Sequence, residues 1–267
     1  MKKMLYFIAF LFAIFLLISL AVYYLQEKLI FHPTKFSADF RYQFPVKFEE
    51  INFETEKGVT INALHFKADT SKGLALYFHG NAGALDSWGW VAEDFTRNNY
   101  DLLIMDYRGY GKSTGKINSE KNLHHDASFI YNEMLKEYAA DKIVIYGRSI
   151  GTGIASKLAV NNTCKLLILE TPYYNLRDLA KKHMPFLPVK WMLRYKLENN
   201  AHLQKVKCPV YILHGTYDEV VPYEQGKRLS QLAENTTFIT IEGGTHNNLP
   251  EFPLYQQKLV EILNSEL

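Results

Sequence analysis

The stretch Lys142-Ile-Val-Ile-Tyr-Gly-Arg-Ser-Ile-Gly-Thr-Gly153 decides the reading of this chain. It opens with a short apolar run, Lys142–Tyr146, of the kind that forms a strand buried on both faces of a parallel sheet. Gly147-Arg148-Ser149-Ile150-Gly151 follows, a G-x-S-x-G motif, and small residues then predict a helix over Ile154–Val160. A serine between strand and helix in this pattern sits on a sharp, strained turn, where bulky neighbours at 147 and 151 would clash. Gly153 and Ala155 are expected to let the helix lie close to the sheet. The helix N-terminus points at the serine and favours negative charge beside it. The motif predicts an accessible serine at a strand end; an ordinary glycine turn is the plain alternative.

Strands and helices alternate on either side. Phe48–Glu54 and Val59–Phe66 flank the Lys57-Gly58 turn and predict an antiparallel hairpin. Leu74–Phe78, Leu102–Met105, Leu166–Leu169 and Val210–Leu213 predict buried strands, and Thr236–Ile241 another. Ser119 caps a predicted helix in which Leu123, Ala127, Ile130, Met134, Leu135 and Tyr138 recur at helical spacing. Further helices are expected near Tyr223–Ala233 and Phe252–Leu263. This alternation predicts an α/β fold with a mostly parallel sheet.

A serine hydroxyl is a weak nucleophile and needs a base that a third group orients. Both occur downstream, in the order serine, acid, histidine. Asp218 follows the predicted strand Val210–Leu213, and His246 lies in a glycine-rich loop after Thr236–Ile241. Glu219 and Glu170 are the substitute acids. Leu74–Phe78 ends in His79-Gly80-Asn81-Ala82-Gly83. The backbone N–H of Asn81, or of Ala82 as second choice, joins that of Ile150 as a candidate oxyanion hole. His79 reads as a structural strand-end histidine. Asp106 with Arg108 is expected to tie down the turn that follows Leu102–Met105, and His124-His125-Asp126 reads as a solvated helix face, not a metal site.

Hydrophobic residues make up 48% of the 267 and charged residues 22%, which excludes long disorder. Met4–Leu25 contains no charge, and Lys2 and Lys3 are the only charged residues before Glu27. A bilayer core takes about 20 such residues. Residues 1–26 are therefore read as an uncleaved transmembrane anchor, with a cleaved leader ending at Ser19-Leu20-Ala21 as the rival. The two lysines predict a cytoplasmic N-terminus and a body on the far side of the membrane. Without them the chain is neutral, with 28 basic and 28 acidic residues. This argues against a dedicated nucleic-acid binder. Cys164 and Cys208 exclude a disulfide scaffold and read as two free buried thiols.

YFHGNAG, DYRGYGKSTG, YGRSIGTG, HGTYDEVVP and GGTHNN, in that order, resemble the α/β-hydrolase superfamily from about Phe48 to the C-terminus. With its single anchor the chain is similar to membrane-anchored α/β-hydrolase-domain-containing proteins. It is also similar to bacterial hydrolases grouped with serine aminopeptidases. The resemblance implies an eight-stranded, mostly parallel sheet, a Ser149–His246–Asp218 triad and no metal or cofactor. It also places a cap insertion at about 172–207, where eight basic and two acidic residues give a net charge of +6. The expected organisation is anchor 1–26, linker 27–47 and hydrolase domain 48–267. The expected activity is cleavage of a carboxylic ester or thioester with an acyl chain, taken as a small molecule or lipid. A serine peptidase is the second reading, and a catalytically silent membrane scaffold the third.

Overall fold

The structure, a computed structural model, describes residues 1–265. The last two residues of the predicted 48–267 domain, Glu266 and Leu267, lie outside the described residues. Eight strands form one sheet: β1 (Phe48–Glu56), β2 (Val59–Phe66), β3 (Leu74–Phe78), β4 (Asp101–Met105), β5 (Ile143–Arg148), β6 (Leu166–Glu170), β7 (Val210–Gly215) and β8 (Thr236–Ile241). Their order across the sheet is β1-β2-β4-β3-β5-β6-β7-β8. β2 runs antiparallel to β1 and β4, and every pairing from β4 to β8 is parallel. The chain has the α/β-hydrolase sheet, with the predicted hairpin at one edge.

Successive side chains of a strand point to opposite faces. Leu76, Phe78, Ile145 and Leu167 enter one core with the helices Glu120–Met134 and Gly151–Asn161. Ala75, Tyr77, Val144 and Ile168 enter the other with Ala92–Thr96 and Pro253–Leu263. Both faces are covered, so the central strands read as unbroken apolar runs.

Three local expectations change. The helix begun by the Ser119 capping box ends at Met134. Leu135 is exposed, and the Tyr138 hydroxyl donates to Asp101, 2.5 Å away. Arg108 pairs with Asp126 (Nε to Oδ2, 2.7 Å) and Glu56, not with Asp106. Asp126 is therefore buried rather than solvated, although its neighbour His125 is exposed. Asp106 instead sits 3.6 Å from His79, which is fully buried and packs on Tyr107; His79 has the expected structural role.

The N-terminal helix runs unbroken from Lys2 to Ile30, through the first residues of the stretch assigned to the linker. Its most apolar window has a mean hydropathy of 2.8 and none of its residues is buried, so the helix is long and apolar enough to cross a membrane. At about 1.5 Å per residue it is roughly 43 Å long, more than the ~30 Å of a hydrocarbon core. Its surplus lies at the C-terminal end, against the body. Beyond it the chain packs on the domain, and His32–Pro33 pairs in parallel with Ala82–Gly83. The insertion folds as three short helices, Leu176–His183, Val189–Met192 and Asn199–Leu203. Its base is tied to the body: Glu120 accepts from the backbone N–H groups of Lys196 and Leu197, and the Asn199 amide donates to Thr152.

Candidate active site

The parallel strands bring their carboxyl ends to one edge, where α/β sheets bind ligands. β3 delivers Asn81, β5 delivers Ser149, β7 delivers Asp218 and β8 delivers His246. Ser149 has φ +51°, a left-handed conformation that a non-glycine residue adopts only under constraint. The constraint is visible. The Ser149 N–H donates to the Glu170 carbonyl at 2.9 Å, and Thr152 N–H donates back to the Ser149 carbonyl at 3.0 Å. A Cβ on Gly147 would stand 2.7 Å from Ala155 Cβ, and one on Gly151 would run into the Phe78 carbonyl. Gly153 departs from expectation: its close approach is to Tyr173 and Leu197, beside the cap, rather than to the sheet.

His246 Nε2 lies 2.9 Å from Ser149 Oγ, and His246 Nδ1 lies 2.8 Å from Asp218 Oδ2. With the serine hydroxyl donating to Nε2 and Nδ1–H donating to the carboxylate, all three form one hydrogen-bonded chain. Asp218 also accepts from the Val220 and Val221 backbone N–H groups at 2.9 and 2.7 Å. Burial would raise its carboxyl. Hydrogen bonds from His214 and His246, the His246 charge and the Val221 N–H outweigh burial and hold it well below the usual carboxylate range. Asp218 is therefore a fixed negative partner for the imidazole.

The substitute acids stand elsewhere. Glu219 is exposed. Glu170 is buried behind the site, where it accepts from the Tyr146 hydroxyl at 2.5 Å and pairs with Arg148 Nε at 3.3 Å. Asn81, Ala82 and Ile150 line the same cavity as Ser149. The Asn81 side chain is held from outside by the Tyr110 hydroxyl (3.1 Å), which fixes the loop carrying its backbone N–H. Among the described residues no cluster of three or more metal-ligating side chains occurs.

Two supporting residues escape motif reading. His214 Nε2 sits 3.3 Å from Asp218 Oδ2 and 2.9 Å from the Val221 carbonyl, bracing the acid's loop from behind. Arg148, the unspecified second residue of the motif, donates to the His246 carbonyl at 3.2 Å and lies over the Trp88 ring. A histidine at the end of β7 and a cation before the serine were the available signals; neither names its partner.

The site opens into a cavity of about 490 Å³, within the range of small-molecule pockets. Trp88 and Arg148 border it on one side, and Leu176, Leu179, Met184 and Leu193 of the cap on the other.

Residues 69–200 match a family model described as "Serine aminopeptidase, S33". The structure aligns with an esterase of Pyrococcus furiosus at a TM-score of 0.70 and 16% identity, over 88% of this chain and 97% of that one. The chain is a member of the α/β-hydrolase superfamily. This α/β-hydrolase also aligns with the Exiguobacterium antarcticum esterase EaEST at a TM-score of 0.65 and 18% identity, over 81% and 100% of the two chains. In sequence it is 32% identical to the zebrafish (Danio rerio) protein named lysophosphatidylserine lipase ABHD12. That match covers 61% of this chain and 48% of the relative, so the chain spans about half the relative's length. It is 28% identical to an uncharacterized protein, R595, of Acanthamoeba polyphaga mimivirus, over 87% of this chain and 88% of the relative.

Proposed function

We propose that this α/β-hydrolase is a membrane-anchored serine hydrolase that cleaves carboxylic esters or thioesters carrying an acyl chain. Ser149 attacks the carbonyl carbon while His246 takes its proton. The developing oxyanion is held by the backbone N–H groups of Ile150 and of Asn81, with Ala82 as the alternative to Asn81. His246 then protonates the leaving group, and water, deprotonated by His246, releases the acyl group from Ser149. Asp218 orients the imidazole and stabilises its charged form. The observation that carries this reading is the continuous Ser149–His246–Asp218 chain opening into a largely apolar cavity. The name of the zebrafish relative and those of the aligned esterases support ester over amide cleavage. The lipid name and the apolar helix together favour a lipid ester with one acyl chain. Residues 1–26 serve as the anchor in this reading, with the N-terminus in the cytoplasm and the hydrolase domain across the membrane.

The test is fluorophosphonate labelling of the purified full chain, followed by turnover of p-nitrophenyl esters, acyl thioesters and aminoacyl amides. Labelling at Ser149 with ester or thioester turnover is expected. Faster amide turnover would replace the esterase reading with a peptidase. Absence of both labelling and turnover would leave a silent scaffold.

A further inference from the structure

The cavity at Ser149 has a wall that no motif announces. Leu29 and Ile30, in the last turn of the N-terminal helix, line it together with Ser149, Leu179 and Leu193. This turn is fastened to the cap. The Gln26 side chain, almost fully buried, donates to the Met192 carbonyl at 3.2 Å and accepts from the Arg194 N–H at 2.8 Å. Glu27 pairs with the Arg194 guanidinium and accepts from the Tyr195 hydroxyl at 3.2 Å. Arg194 in turn lies 5.5 Å from the centre of the Tyr23 ring. Phe31, just beyond the helix, packs on Tyr195 at 5.2 Å. A buried amide bonded on both sides is far stronger evidence of a fixed seat than a surface ion pair.

The helix therefore does more than tether. Met4–Leu25 spans about 33 Å at 1.5 Å per residue, enough for the hydrocarbon core. Ile30 lies five residues on, about 8 Å along the axis. The apolar wall of the cavity thus continues the lipid-facing surface of the helix, within two turns of the hydrocarbon boundary. Phe186 and Trp191, on the same cap, are 91% and 81% exposed. Large aromatics so exposed suit a membrane interface.

We propose that the C-terminal turn of the anchor is the acyl-chain wall of the substrate site. A single-chain lipid ester then passes from the leaflet along Leu29 and Ile30 to Ser149 without crossing bulk water. This rests on the serine-hydrolase reading and adds the anchor as its specificity element. Chain-length preference resides in Ile30, which packs against the core, with Leu29 at the mouth.

The experiment compares p-nitrophenyl acetate with p-nitrophenyl dodecanoate on the full chain in detergent micelles. Ile30→Trp fills the wall and is expected to cut kcat/KM for the dodecanoate by about tenfold or more, the scale on which pockets sense apolar groups. The acetate should change by less than about twofold on the same reasoning. Ile30→Ala enlarges the wall and should move the preference toward longer acyl chains, which keeps the test open if the tryptophan variant misfolds. Leu20→Trp, on the exposed bilayer segment, should leave both esters unaffected. Equal losses on both esters from an Ile30→Trp chain whose helical signal matches the parent, or no loss and no shift from either variant, would overturn the anchor wall. A parent chain that neither takes the fluorophosphonate nor turns over either ester would instead overturn the hydrolase reading beneath it.

A second inference rests on a different observation. Cys164 and Cys208 precede the adjacent parallel strands β6 and β7, and their sulfurs stand 2.8 Å apart. Both thiols border a surface cleft beside Lys207; Cys164 is buried and Cys208 half-buried, so Cys208 is the one a small disulfide reaches first. We infer that they close into a disulfide when a disulfide oxidant is supplied. Cys208 as thiolate attacks oxidised glutathione and expels one glutathione thiolate. The Cys164 sulfur, losing its proton to solvent, then attacks Cys208 Sγ and expels the second. Two electrons pass to the glutathione pair, and the chain loses two hydrogens. The hydrogen bond from Cys164 favours the thiolate on Cys208.

The test is maleimide counting on the purified full chain, denatured after incubation with oxidised glutathione. Loss of both reactive thiols with no glutathione adduct by mass, and recovery of both with dithiothreitol, is expected. Cys164→Ser should trap glutathione on Cys208. Two thiols still reactive in the parent, or a stable parent adduct, would overturn the pairing.

Discussion

Ser149 sits between a fully buried strand and a closely packed helix, whereas the cap over it is three short helices with Phe186 and Trp191 largely exposed. The two regions divide the labour. The sheet edge holds Ser149, His246 and Asp218 within hydrogen-bond distance, and strain at Ser149 is sustained because backbone bonds to β6 and the elbow helix over-determine it. The cap is held at its base by Glu120 and Asn199, and at its far end by the anchor. In the proposed reading such a site fixes its chemistry in the rigid part and chooses its substrate with the cap and the end of the N-terminal helix. Substitutions in the first region should therefore strike every substrate alike, and substitutions in the second should discriminate.

The largest effect is expected at the nucleophile. Ser149→Ala removes the attacking oxygen and should lower kcat by about 10⁶, the scale seen when a serine hydrolase loses its serine. The helical signal of the variant should match the parent, since alanine is smaller than serine at a tight turn. Turnover equal to the parent on any ester would break the division at its root. Next comes the acid. Asp218→Asn should cost about 10⁴ in kcat through the wrong imidazole tautomer. Glu219→Gln should leave turnover near the parent, because that side chain is exposed and away from His246. If Glu219→Gln were the crippling change, the acid would have to be reassigned.

The sheet edge was largely legible in the sequence, for a physical reason. G-x-S-x-G, the strand-end Asp218 and the loop His246 obey local rules of turn and strand geometry, and parallel strands carry all three to one edge. What was not legible depends on contacts between distant residues. Asp126 reads as polar on a helix face until Arg108 and Thr55 are seen against it. Gln26 reads as the first polar residue after a span, and only the Met192 carbonyl and Arg194 N–H show it buried. Arg148 occupies a position at which the motif is indifferent, yet it joins Glu170, Trp88 and the His246 carbonyl. Spacing tells which face a residue takes, and it does not tell what comes to meet it.

Arg148 sharpens the comparison, since it belongs to the rigid region and also borders the cavity. Its bond to the His246 carbonyl holds the base in place, and misplacing a catalytic group by about 1 Å can lower rate by about 10². Arg148→Met should lower kcat by about that factor, while KM for a short ester stays near the parent value. It should also destabilise the fold, because Glu170 loses its charged partner inside the protein. Adding Glu170→Gln separates the two roles. The double variant should recover most of the lost Tm and almost none of the lost kcat. Recovery of both would reduce Arg148 to a structural ion pair.

The smallest effect is expected from the charge on the cap, and it tests whether that region meets lipid. Lys181, Lys182 and Lys190 are exposed, whereas Arg194 is engaged by Glu27 and Tyr23 and should be left intact. Basic residues near an anionic surface contribute about 1 kcal/mol each. In the proposed reading the N-terminal helix already holds the domain at the membrane, so these charges would set how the cap meets the lipid and not whether the protein binds. Reversing the three lysines to glutamate should therefore slow hydrolysis of a bilayer-embedded ester by about tenfold or less in anionic proteoliposomes. In neutral proteoliposomes the variant and parent should agree. Raising the salt should slow the parent toward the variant in the anionic case, because exposed charges are screened beyond about 8 Å at physiological ionic strength. A soluble acetate ester should be cleaved equally by both proteins, since no lysine touches the triad. A matching loss on the acetate would mean that the reversal had damaged the cap itself. The same loss in neutral and anionic vesicles would show that the cap does not meet the bilayer through its charge.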